Sequence, residues 1–267
     1  MYSLVFLLLN TTSELCTTCI HPVKLYLVNR EVTMIFNQLF DDKSSTYTYL
    51  ISSGKGREAL IIDPVIEHTK KYIKILKDLD LRLVKVIDTH IHADHISGLN
   101  ELNKQTACTR VMGENSESEV VDIRVADNEK IKIENVELTT IYTPGHTECS
   151  YSYLMNGKVF TGDTLLINGS GRTDFQGGSA RDQYNSIFGR LLKLPDKTLI
   201  YPAHDYNGKK FSTIEDEKNN NPRLQVSSPD EYIEIMNNLT LTNPKMMDVA
   251  VPANKKGLFL KEVPNVE

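Results

Sequence analysis

Three of the chain's seven histidines fall within six residues, in His90-Ile91-His92-Ala93-Asp94-His95. The cluster follows directly on Leu83 to Ile87, an apolar run that reads as a buried strand. In extended backbone, side chains two apart point to one face, so His90 and His92 can reach a common point. Asp94 and His95 follow at the turn into a helix expected over 97–104. The fold must therefore hold a dense set of nitrogen and oxygen donors at the C-terminal end of a strand.

Later donors arrive in the same way. His146 follows an expected strand over 136–142 through Thr143-Pro144-Gly145, Asp163 follows one over 158–161, and His204 follows one over 198–201. Each lies just past a strand end, where a rigid scaffold can aim loops at one point. Alone, each reads as an ordinary cap or turn residue. Together they gather five of the seven histidines, and a metal site is the reading that unites them.

From Ile35 onward, short β-rich runs alternate with amphipathic helices. The spacing predicts helices over 66–79 and 179–194, the latter with Tyr184, Ile187, Phe188, Leu191 and Leu192 on one face and Pro195 beyond its end. Residues 113–130 read as loop, and Asn156-Gly157 as a hairpin turn whose residues tolerate positive φ. Shorter helices over 214–218 and 230–238 are expected to finish the chain. The class is α/β, with two sheets face to face and helices outside.

Composition narrows the function. At 267 residues, with 40% apolar and 24% charged side chains, the chain can bury a sizeable core. A net charge of -5 without a basic run argues against a nucleic-acid partner. No stretch reaches the roughly 20 apolar residues that span a bilayer, and Leu4 to Leu9 lacks the basic residues that open an export signal. We expect residues 1–33 to form an N-terminal extension outside the fold and 34–267 to form the catalytic domain. Cys16, Cys19, Cys108 and Cys149 make no disulfide framework, so a cytoplasmic setting is expected. Cys16 and Cys19 have a metal-pair spacing without a second pair, and read as incidental.

The spacing His-x-His-x-Asp-His at 90–95, then His146, Asp163 and His204, resembles the metallo-β-lactamase superfamily. The resemblance runs from Met34 almost to the end and implies an αβ/βα sandwich of two mixed sheets with the site at one edge. Further stretches narrow the branch: Gly169-Ser170-Gly171-Arg172-Thr173-Asp174-Phe175-Gln176, Tyr201-Pro202-Ala203-His204-Asp205-Tyr206, Asn221-Pro222-Arg223-Leu224 and Val249-Ala250-Val251-Pro252-Ala253-Asn254. These are similar to the persulfide dioxygenases, also called sulfur dioxygenases. Glyoxalase II, a hydrolytic relative, usually has Phe-Glu after Gly-Arg and Gly-His-Glu-Tyr at the last histidine. Ser170 stands where the dioxygenases often have cysteine.

The resemblance implies one Fe(II) held by His90, His146 and Asp163, the two-histidine, one-carboxylate arrangement that leaves positions open for reactants. His92, Asp94, His95 and His204 would then orient the ligands, with Asp205 fixing His204. The implied reaction consumes glutathione persulfide, O2 and water and yields sulfite and glutathione. Arg172, Tyr206 and Arg223 are candidates for the substrate's carboxylates and backbone; each otherwise serves as an internal contact. In the alternative, the same residues hold two zinc ions, or zinc and iron, and a bridging hydroxide cleaves a thioester such as S-lactoylglutathione. A homodimer, common among related enzymes, is a further implication. A flavodiiron-type member would usually carry Glu in place of His92, and a non-catalytic scaffold would be expected to lose ligands. Neither departure is present.

Overall fold

A computed structural model describes residues 33–263. The expected extension over residues 1–33, apart from its last residue, lies outside the described residues, as do Cys16 and Cys19.

Among the described residues, twelve strands form two six-stranded sheets. The first takes β1 (Ile35–Asp41), β2 (Thr46–Ser52), β3 (Glu58–Ile62), β4 (Arg82–Ile87), β5 (Thr109–Gly113) and β6 (Ile123–Val125), side by side in chain order. Its first pairings are antiparallel, and those from β3 to β6 are parallel. The second runs β12 (Ser212–Thr213), β11 (Leu199–Pro202), β10 (Lys158–Gly162), β9 (Tyr151–Met155), β8 (Val136–Tyr142) and β7 (Lys130–Ile133). There only β10 and β11 are parallel. Both sheets are mixed, as the sequence reading expects.

Alternation along the strands builds a layered core. Tyr49, Ile51, Leu60, Ile62 and Ile87 of the first sheet meet Leu138, Tyr151, Tyr153, Phe160 and Tyr201 of the second in one buried cluster. Their alternates, Leu50, Ala59, Ile61 and Val86, pack instead with α1 (Thr69–Asp78) and α2 (Leu99–Thr106) through Tyr72, Leu76, Leu99 and Leu102. On the outer face of the second sheet, Val159 and Ile200 meet α3 (Ala180–Gly189) and α5 (Pro229–Asn237) through Ile187, Tyr232 and Met236. Sheets buried on both faces explain why so many strands read as continuous apolar runs.

Three expectations are corrected. The helix expected over 179–194 ends at Gly189, and a separate 3-10 turn covers Leu191–Lys193. Ser179 caps its start by accepting from the Asp182 amide at 3.2 Å, but a glycine at the far end weakens continuation. The stretch read as loop over 113–130 contains β6, paired in parallel with β5 through Val111 and Ile123. The chain does not finish at the helix near 230–238. After α4 (Ile214–Asn220) and α5 comes α6 (Met247–Lys256), which carries Pro252 inside it. Among the described residues no helix is long and apolar enough to cross a membrane.

Candidate metal centre

The ends of β3, β4, β8, β10 and β11 carry Asp63, Asp88 to His95, His146, Asp163 and His204 in turn. His90, His146 and Asp163 are buried or nearly so, and each offers one donor atom within 4.8 Å of the others'. His92, Asp94 and His95 make a second such group beside it.

Hydrogen bonds set which nitrogen each histidine presents. The Thr89 hydroxyl donates to Asp63 Oδ2 at 3.0 Å, so at 2.9 Å it accepts from Nδ1–H of His90. That leaves Nε2 of His90 as a bare lone pair. His146 Nδ1 donates to the Arg172 carbonyl at 2.7 Å, and its Nε2 lies 3.5 Å from Asp163 Oδ2. His92 Nε2 donates to Asp63 Oδ1 at 3.1 Å. Burial, then the neighbouring His92 and His146, hold His90 well below the usual imidazole range, so it is a neutral ligand at neutral pH.

Two ring nitrogens, His92 Nδ1 and His95 Nε2, are buried without any hydrogen-bond partner. An orphaned buried acceptor costs about 1–3 kcal/mol. Lone pairs left bare on converging imidazoles, beside ionised carboxylates, fit a metal cation. The donors are all nitrogen and oxygen, which suits iron or zinc.

His204 is held differently. Its Nδ1 lies 2.6 Å from Asp163 Oδ1 and its Nε2 2.8 Å from Asp94 Oδ2, with Thr46 Oγ1 3.0 Å away. Burial opposes its charge, yet Asp163 and Asp94 raise it well above the usual imidazole range. Burial likewise opposes ionisation of Asp94 and Asp163, and the charge of His204 on each outweighs it, holding both below the ordinary carboxylate range. His204 thus bridges two carboxylates, one at each ring nitrogen. The expectation that Asp205 fixes His204 is corrected: Asp205 Oδ2 accepts the backbone amides of Asn207 and Lys209 at 2.9 and 2.7 Å, holding its own loop.

Several supporting residues escape a sequence reading. Asn254, on α6, donates from Nδ2 to the carbonyls of His92 and His95, both at 2.9 Å, and accepts from the Ser97 amide at 2.8 Å. One carboxamide therefore pins both ends of the ligand loop. Gln176 Nε2 donates to the Ile91 carbonyl at 2.9 Å. Gln183 is fully buried and donates to the Gly171 carbonyl at 3.1 Å. Gly171 lies so close to the centre that a Cβ there would sit 2.3 Å from the Asp163 carbonyl and 2.7 Å from His146 Nδ1. The run ending in Asn254 stood out only as a family flank; nothing in it signals a bond to residues 157 or more positions away.

The centre opens into a cavity of about 770 Å³, lined among others by His146, Asp163, His204, Arg172, Tyr206 and Arg223. That size is ordinary for a small-molecule site. Tyr206 is 71% exposed, its ring parallel to that of His204. Arg172 is largely committed elsewhere: its Nε and Nη2 grip Asp174, its Nη1 reaches the Thr242 carbonyl at 2.9 Å, and it lies over the Phe175 ring. Arg223 bonds Ser170 through one nitrogen.

Comparison with known proteins accords with this geometry. The Metallo-beta-lactamase superfamily profile matches residues 41–129 and 113–204. The mitochondrial persulfide dioxygenase ETHE1 of Mus musculus is 41% identical over 84% of this chain and 88% of its own. A hydroxyacylglutathione hydrolase of Pelagibacter ubique is 34% identical over 70% of this chain and 79% of its own. The crystal structure of ETHE1 from Myxococcus xanthus superposes with a TM-score of 0.81 at 46% identity, covering 83% of this chain and 98% of that one.

Proposed function

The chain belongs to the metallo-β-lactamase superfamily, and from that premise we propose that it is a persulfide dioxygenase with one Fe(II) on His90, His146 and Asp163. Its substrates in this reading are glutathione persulfide and O2. Four electrons pass from the outer sulfur to dioxygen, and with water the products are glutathione, sulfite and two protons.

Iron held there would supply the redox chemistry that lets dioxygen meet a thiolate, an encounter that is otherwise slow. The protein's part is positioning. Asp63, through Thr89, fixes the His90 tautomer, and the Arg172 carbonyl fixes that of His146. Asp163 is kept ionised by His204. Asn254 and Gln176 hold the loop that carries His90 to His95. Arg172 acts through its backbone carbonyl and its fixed stack on Phe175, while Tyr206 and the free edge of Arg223 face the cavity that receives the thiol peptide. The reading places a catalytic domain over 34–267 in a reducing, cytoplasmic setting, where Cys108 and Cys149 remain free thiols.

The single observation that carries the one-metal form is His204. Both its nitrogens are engaged with carboxylates, which already compensates Asp94 internally. The two-metal thioester hydrolase is the second reading, favoured by the bare nitrogens of His92 and His95. Oxygen uptake with glutathione persulfide, and hydrolysis of S-lactoylglutathione, separate the two. We expect one sulfite per O2 and negligible thioester cleavage; cleavage without oxygen uptake would overturn the proposal.

A further inference from the structure

The cavity that opens from the centre carries four cationic side chains on its wall: Lys43, Arg172, Arg223 and Lys245. They are not equally available. Arg172 spends its Nε and both terminal nitrogens on Asp174 and Thr242, and Arg223 is half buried and turned onto Ser170. Lys43 and Lys245 are exposed and, among the described residues, form no hydrogen bond or ion pair. The wall's acids divide in the same way. Asp94 and Asp163 are bound to His204, Asp205 to its own loop, and Asp41 to His68 at 2.7 Å and the Ser44 amide at 2.8 Å. Glu67 is exposed and, among the described residues, has no such partner.

Among the described residues, Lys43, Lys245 and Glu67 therefore remain on the wall without a polar partner, beside the free edge of Arg223. The Asp41–His68 bond ties the turn that carries Lys43 to the segment that carries Glu67, so these two share one side of the cavity. An unlike pair on one side suits a group that bears carboxylate and ammonium on the same carbon. Lys245, from the connection between α5 and α6, supplies a separate cation for a second carboxylate.

We propose that Lys43 and Glu67 recognise the amino-acid head of the substrate and Lys245 its far carboxylate, so that this enzyme selects a persulfide carrying two carboxylates and one ammonium. The inference rests on the thiol-peptide reading above and assigns specificity to side chains other than the two arginines. These charges act at the mouth, where each pair is partly screened and contributes modestly. Their combined effect is selection among thiols, since a ligand that lacks a charge leaves its counterpart unmatched.

Binding, not turnover, is the test. S-methylglutathione, which cannot be oxidised as a persulfide, is titrated calorimetrically into the metal-loaded full chain at low ionic strength. Two analogues accompany it, one with the amine acetylated and one with the glycine carboxylate converted to the amide. Lys43→Gln, Glu67→Gln and Lys245→Gln should each weaken S-methylglutathione about three- to fivefold. Glu67→Gln should bind the acetylated analogue as tightly as the unsubstituted protein does, and Lys245→Gln should do so for the amide. Equal losses whether or not the matched charge is present would overturn the proposal, as would no loss, or no binding of S-methylglutathione at all. If charge matching holds but no oxygen is consumed with the persulfide, the dioxygenase reading falls and the recognition of the thiol peptide stands.

Discussion

At the scale of single residues, the centre depends as much on groups that never face the cavity as on the ligands. Asn254 shows this most clearly. Its three bonds satisfy the His92 and His95 carbonyls and the Ser97 amide. Substitution by Ala leaves those three buried backbone groups without partners, at about 1–3 kcal/mol each before water enters. We predict that Asn254→Ala weakens metal binding at least tenfold in a chelator competition, on top of a lower melting temperature. Asn254→Asp, which keeps the acceptor for Ser97 but offers no donor to the carbonyls, should lose nearly as much. Metal affinity unchanged in both variants would show that the loop holds itself. The candidate donors were legible in the sequence because each lies just past an apolar strand. Asn254, Asp63 and Gln183 were not, because a carboxamide or carboxylate that bonds distant backbone leaves no local spacing to read.

At the scale of elements, strand ends supply the donors and the 162–171 segment brackets them. β10 ends at Gly162, Asp163 follows, and the chain returns at Gly171 beneath His146. A Cβ at Gly171 has no room against the Asp163 carbonyl or the His146 ring, whereas one at Gly169 meets nothing within 4 Å. Gly171→Ala should therefore displace His146 and abolish stoichiometric metal binding, while Gly169→Ala should retain it. Metal content by elemental analysis checks both, and equal retention would refute the packing argument. Most elements were legible from periodicity, since strands with both faces buried stand out as apolar runs. α6 was not, because Pro252 within it removes a backbone donor and reads as a helix breaker. The break after Gly189 was missed because the apolar face continues through Leu191 and Leu192 into the 3-10 turn.

For the whole molecule, the two sheets meet over one core and present their strand ends at a shared edge, so metal loading and global stability are linked. In the metal-free protein the His204 bridge gives that linkage a pH dependence. The pKa of His204 is raised above its unfolded value, so its contribution is complete below about pH 6.5 and is lost as pH rises through the higher folded value. Asp94 and Asp163 are depressed, so theirs is present above about pH 4 and is lost as pH falls through the lower folded values. His90 is also depressed, and its contribution falls as pH drops below about 6.5. We predict that urea midpoints of the metal-free chain fall as pH rises above neutrality, and that His204→Asn makes that fall shallower. A variant that keeps the wild-type slope would show that the bridge does not form in solution.

One metal on His90, His146 and Asp163, oriented by their neighbours, implies a definite stoichiometry. Metal stoichiometry across three proteins tests it most directly. We expect about one iron per chain in the unsubstituted protein, close to none in Asp163→Ala, and most of it retained in His95→Ala. Two metals per chain, falling to one when His95 is removed, would contradict it.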